Sequence, residues 1–109
     1  MKITKEQKQK VKELLIEKQN FDELIPKIDN QNADYDRVMK RCQELSFIFD
    51  VCFSKLTQEE QRILMLHNVE RYADFEIAIE LGYSERKIWS MRQAAIAKFL
   101  KITDLFAMK

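Results

Sequence analysis

A chain of 109 residues lies within the usual size range of one compact domain, and its formal net charge of +1 excludes an overall basic protein. With 46% hydrophobic and 34% charged residues, a buried core with well-solvated outer faces is feasible and disorder is not expected away from the ends. One glycine and one proline in the whole chain leave little of the turn chemistry that a sheet protein needs, so the expected fold class is all-α.

The opening Met1-Lys2-Ile3-Thr4-Lys5-Glu6 has no apolar stretch behind it, so neither a signal peptide nor a membrane span is expected, and a cytoplasmic location follows. From Thr4 to about Leu24, Val11, Leu14, Leu15, Phe21, Leu24 and Ile25 recur at three- and four-residue steps, which predicts a first helix ended or kinked by Pro26. Asp29-Asn30-Gln31-Asn32 predicts a loop, because these side chains compete for backbone hydrogen bonds.

A second helix is predicted from about Ala33 to Ser54, with Tyr35, Val38, Cys42, Leu45, Phe49, Cys52 and Leu56 forming a heptad seam. Met39, Phe47, Ile48, Val51 and Phe53 widen its apolar surface, so it should be either the central helix of a bundle or the interface of a homodimer. Cys42 and Cys52 fall on this helix about 80° apart, too far along it for a disulfide, and should be reduced structural thiols.

Leu56-Thr57-Gln58-Glu59-Glu60 carries a capping box that opens a third helix, with Ile63, Leu64, Leu66 and Val69 inward and an end near His67 to Arg71. The lone His67 lacks partners at ligand spacing, and no metal or other cofactor is expected. A glycine-rich phosphate loop and a nucleophile constellation are also missing, which argues against an enzyme, and the acids Asp34, Asp36, Glu59 and Glu60 suit helix starts.

The segment from Asp74 to Trp89 has helix-turn-helix spacing: a short helix to Leu81, a turn at Gly82 and Tyr83, and a longer helix capped by Ser84. Ala78 is small where the helices approach, and Gly82 permits positive φ. In the last helix Ile88, Met91, Ala95 and Phe99 define the packed side, which sets Arg86, Ser90, Gln93 and Ala97 within roughly 40° of the outward direction.

Between Ser84 and Lys101, five basic residues, Arg86, Lys87, Arg92, Lys98 and Lys101, face the single acid Glu85. This local excess suits double-stranded DNA: Arg86, Gln93 and Ser90 are the residue types that read base edges, while Lys87, Arg92 and Lys98 suit the phosphate walls. Residues 1–56 are then expected to form a helical oligomerisation or partner-binding region and residues 57–109 the DNA-binding region, together one compact domain.

Leu56-Thr57 through Leu100 resembles region 4 of bacterial sigma-70 factors, through Glu76-Ile77-Ala78, Leu81-Gly82-Tyr83-Ser84 and Arg86-Lys87-Ile88. The resemblance implies that the final helix enters the major groove of a promoter element with Glu85, Arg86, Trp89 and Ser90 at the base-contacting positions. Trp89 is bulkier than the polar residue common there. The chain length and the added N-terminal helices resemble the small phage and prophage regulators of the ArpU and RinA kind. No other sigma-factor region is recognisable, so the resemblance implies a regulator with double-stranded DNA, and in some settings RNA polymerase, as partner. The alternative is a protein-interaction module that binds polymerase or another regulator.

Overall fold

Residues 3–107 are described by a computed structural model, with five α-helices and no strand among them. α1 spans Lys5–Leu24, and its first turn is closed by Thr4, whose hydroxyl accepts the Gln7 N–H while the Gln7 side chain accepts the Thr4 N–H. Pro26 stops it, and Ile25–Lys27 tightens into a single 3-10 turn.

α2 spans Tyr35–Ser54 and starts two residues later than expected. Two side chains upstream explain the delay: Asp29 accepts from the Gln31 N–H and Asn32 from the Asp34 N–H, holding the loop in turns before the helix can begin. α3 spans Gln58–Asn68 and carries the expected capping box between Thr57 and Glu60. α4 spans Asp74–Leu81 and α5 spans Glu85–Ala107. Between α3 and α4 the chain turns with Arg71 at φ 62°, a left-handed conformation that the sequence reading did not anticipate.

The apolar side chains form two clusters. The larger joins Val11 and Leu15 of α1, Leu45, Phe49 and Cys52 of α2, Leu64 of α3, and Ala95, Ile96, Phe99 and Leu100 of α5. The Phe49 ring lies 5.3 Å from that of Phe99 and 5.6 Å from that of Phe53, so aromatic contacts tie α2 to α5. The smaller joins Ile63 and Leu66 of α3, Ile77 and Ala78 of α4, and Ile88 of α5. α5 belongs to both, its early turns in the small cluster and its later turns in the large one. Truncating the fully buried Phe99 to alanine would remove the main joint, at a cost of about 3–5 kcal/mol.

α2 lies against α1 and α5 within the same chain. Of the seam, Leu45, Phe49, Cys52 and Leu56 are buried, while Tyr35, Val38 and Cys42 are half-buried. Arg41 adds a forked pair to Glu17 of α1, with nitrogen-oxygen distances of 3.0 and 2.8 Å. Within the chain α5, which meets α1, α2, α3 and α4, is the central helix, and α2 packs against it and α1.

Candidate nucleic-acid interface

The turn between α4 and α5 is built from three adjacent devices. The Ala78 carbonyl accepts from both the Gly82 N–H at 2.9 Å and the Tyr83 N–H at 3.0 Å, which closes α4. Gly82 sits at φ 76° and ψ 31°, the left-handed conformation that its lack of a Cβ makes inexpensive. The Ser84 hydroxyl then accepts the Lys87 N–H at 3.1 Å, capping α5. Tyr83 braces the corner from outside: its hydroxyl donates to the Glu59 carboxylate, and its ring lies under the Lys87 ammonium, 4.7 Å from the ring centre. The hydrogen bond to Glu59 raises the Tyr83 pKa, since the phenol is the donor.

The buried positions of α5 are Ile88, Arg92, Ala95, Ile96, Phe99, Leu100 and Thr103. Their mean direction is turned by about 45° from Ile88, because the later turns must also meet α1 and α2. The outward line therefore runs through Lys87, Ser90, Ala94 and Lys101, all exposed, with Arg86 beside it. Ser84, Glu85 and Trp89 are exposed as well, at the helix start. Arg86 borders two shallow hollows, one lined also by Thr57, Ser84, Ser90 and Ala94, the other by Asp74, Glu85 and Trp89. The guanidinium has no hydrogen bond or ion pair within the described residues.

Three residues depart from the expected surface. Gln93 is half-buried on the flank of α5, with its Nε2 enclosed and without a hydrogen-bond partner. Arg92 is 8% exposed and forks onto Asp74 of α4, at 3.0 Å from Nε and 2.9 Å from a terminal nitrogen. A guanidinium so placed holds the motif together and has no reach to a phosphate wall. Lys98 keeps an exposed stem, yet its ammonium is held by the buried Glu60 at 2.8 and 3.1 Å. Burial pushes the Glu60 carboxyl up, but the hydrogen bonds from Lys98 and Thr57 outweigh it and the net direction is down.

Two of the five basic charges in this stretch are thus neutralised internally, leaving Arg86, Lys87 and Lys101. Sequence reasoning missed Ala94 and Lys101 as outward residues and Asp74 as the partner of Arg92. The Asp74 signal could have been found only by pairing an acid at the first turn of α4 with a base 18 residues later.

Beside this pair lies His67, half-buried, whose Nδ1–H donates to the Tyr72 carbonyl at 3.1 Å. Burial, and then the nearby Arg92 charge, lower its pKa from the ordinary 6.5. Burial also raises the Cys52 thiol to about 11, and both cysteines are free. Among the described residues no group of His, Cys, Asp or Glu could hold a metal ion, and no helix is long and apolar enough to cross a membrane.

The molecule is an all-α protein whose C-terminal half carries a helix-turn-helix pair. Comparison with protein-family models, curated proteins and solved structures found no match.

Proposed function

We propose that this protein is a sequence-specific regulator of transcription that binds double-stranded DNA, with α5 in the major groove and α4 across the backbone. The observation that carries this reading is the unpartnered Arg86 beside exposed Ser90 on the first turns of a helix held rigidly by the Gly82 turn and the Ser84 cap. The resemblance of Leu56 through Leu100 to sigma-70 region 4, and of the chain to small phage regulators, supports the same reading.

A selected-site binding experiment on a random duplex pool, followed by titration with Arg86→Ala, tests it. The substitution should cost about 1–3 kcal/mol on the preferred sequence and much less on random DNA. A parent protein that binds no duplex, or a variant that keeps full preference, would overturn the assignment.

A second reading, an interaction module for RNA polymerase or another regulator, is favoured by exposed apolar side chains on the motif. Phe75 is 55%, Ile79 80% and Trp89 51% exposed. Phe75→Ser with Ile79→Ser should leave DNA affinity unchanged under the first reading while abolishing polymerase capture under the second. Homodimerisation would pair two reading helices on a two-part operator; sedimentation at tens of micromolar tests it.

A further inference from the structure

A surface groove with basic residues on its walls lies between the first half of α1 and the junction of α3 with α5, apart from the first turns of the reading helix. Lys5, Lys8 and Lys12 recur at steps of three and four, so they share one side of α1 within about 60°. Among the described residues none of the three has a carboxylate partner, whereas the neighbouring Lys10 lies 3.9 Å from Asp104. The groove also holds His67 and the edge of Arg92 on its far wall, and Glu6 and Glu13 as its acids.

Two relations connect this groove with the reading helix. Arg92 lines it and forks onto Asp74, and Asp74 in turn lines the hollow that contains Arg86 and Trp89. The Arg92–Asp74 pair is therefore the ridge between the two concavities. The charge tally points the same way, because with Arg92 and Lys98 held internally the reading helix retains few cations for phosphate, while duplex affinity depends heavily on phosphate neutralisation.

We infer that the Lys5, Lys8 and Lys12 stripe is a second DNA contact, which grips the phosphate backbone of duplex flanking the sequence read by α5. The inference rests on the DNA-binding reading above and adds to it a footprint extending past the reading helix. From Lys5 to Lys12 the stripe is about 10 Å long, which corresponds to roughly three phosphates of one strand when measured along the duplex axis. Lysines on a rigid helix suit this task, since they supply point charges without base preference.

The test compares the full chain with a Lys5/Lys8/Lys12→Gln variant, a Lys27/Lys40/Lys55→Gln variant of equal net charge, and Arg86→Ala, on a long and a trimmed duplex across salt concentrations. Circular dichroism and thermal melting confirm that each variant is folded. The α1 variant should lose roughly tenfold affinity on the long duplex, keep its sequence preference, and show a salt slope smaller by about two to three units. It should approach the parent on a duplex trimmed to the motif. If the α1 variant binds like the parent while Arg86→Ala loses preference, the inference is overturned and the reading by α5 stands. If both triple variants lose affinity equally, the loss reflects net charge and the inference is likewise overturned. If Arg86→Ala changes nothing on any duplex, the reading by α5 fails instead.

Discussion

Arg92 of α5 and Asp74 of α4 face each other as a fork on a fork, two nitrogens 3.0 and 2.9 Å from the two carboxylate oxygens. The side chains are 10% and 16% exposed, so both charges are largely out of water, and each is tolerable only because the other is there. Arg92→Met should destabilise the fold by about 3 kcal/mol, by stranding Asp74. The double variant Arg92→Met with Asp74→Leu should recover much of that loss, and denaturant titration of both measures the coupling.

Gly82 is held at φ 76°, and a Cβ built there would meet nothing within 4 Å. A substitution is therefore penalised by the backbone alone and not by a clash. Gly82→Val should lower stability by about 1–2 kcal/mol, whereas Gly82→Asn, which tolerates the left-handed region, should cost much less. Equal melting temperatures for the two variants would show that the turn relaxes to another conformation.

These two sites also mark how far the sequence could be read. Gly82, Ser84 and the Thr57–Glu60 box were legible because caps and left-handed turns depend on residues within four positions of each other. The helical periods of α1 to α4 were legible for the same local reason. The partners of Arg92 and Lys98 were not, since Asp74 and Glu60 lie 18 and 38 residues away and the pairs exist only once the helices pack. Taking Ile88 to Phe99 as the centre of the packed side also misplaced Gln93, because Arg92, Ile96 and Leu100 are buried as well and rotate the inner face.

Gln93 supplies a separate test of that rotation. Its Nε2 is enclosed and unpaired, so an apolar replacement of similar size loses no hydrogen bond and removes a desolvation cost. Gln93→Leu should leave thermal stability unchanged or raise it by on the order of 1 kcal/mol, with sequence preference intact. Loss of preference in a stable variant would return Gln93 to the reading face.

His67 sets the first pH dependence. Its folded pKa lies below the ordinary 6.5, from burial first and the Arg92 charge next. Above about 6.5 both folded and unfolded chains carry neutral imidazole, and its contribution is fully present. As the pH falls below that value the unfolded chain takes up a proton that the folded one resists, so stability should decline until the folded pKa is passed. Denaturant midpoints measured from pH 7.5 to 5 should show the decline, and His67→Gln should flatten it.

Glu60 sets the second, at more acid pH and with the help of Lys98. Its folded pKa is lowered from 4.5 because the hydrogen bonds from Lys98 and Thr57 overcome the opposing effect of burial. A carboxyl of this kind contributes stability that is present above about 4.5 and is lost as the pH falls through the folded value. Lys98→Met removes one of the two favourable partners and leaves the carboxylate, 6% exposed, with the Thr57 contacts alone. The variant should lose about 1–2 kcal/mol at pH 7, a figure reduced by the partial exposure of Lys98 itself. Because protonated Glu60 no longer needs the ammonium, the difference from the parent should shrink as the pH falls below about 4.5. The salt slope of DNA binding should stay at the parent value, since this cation is already neutralised within the fold. A slope lowered by roughly one unit, together with unchanged stability at pH 7, would place Lys98 on phosphate instead of on Glu60.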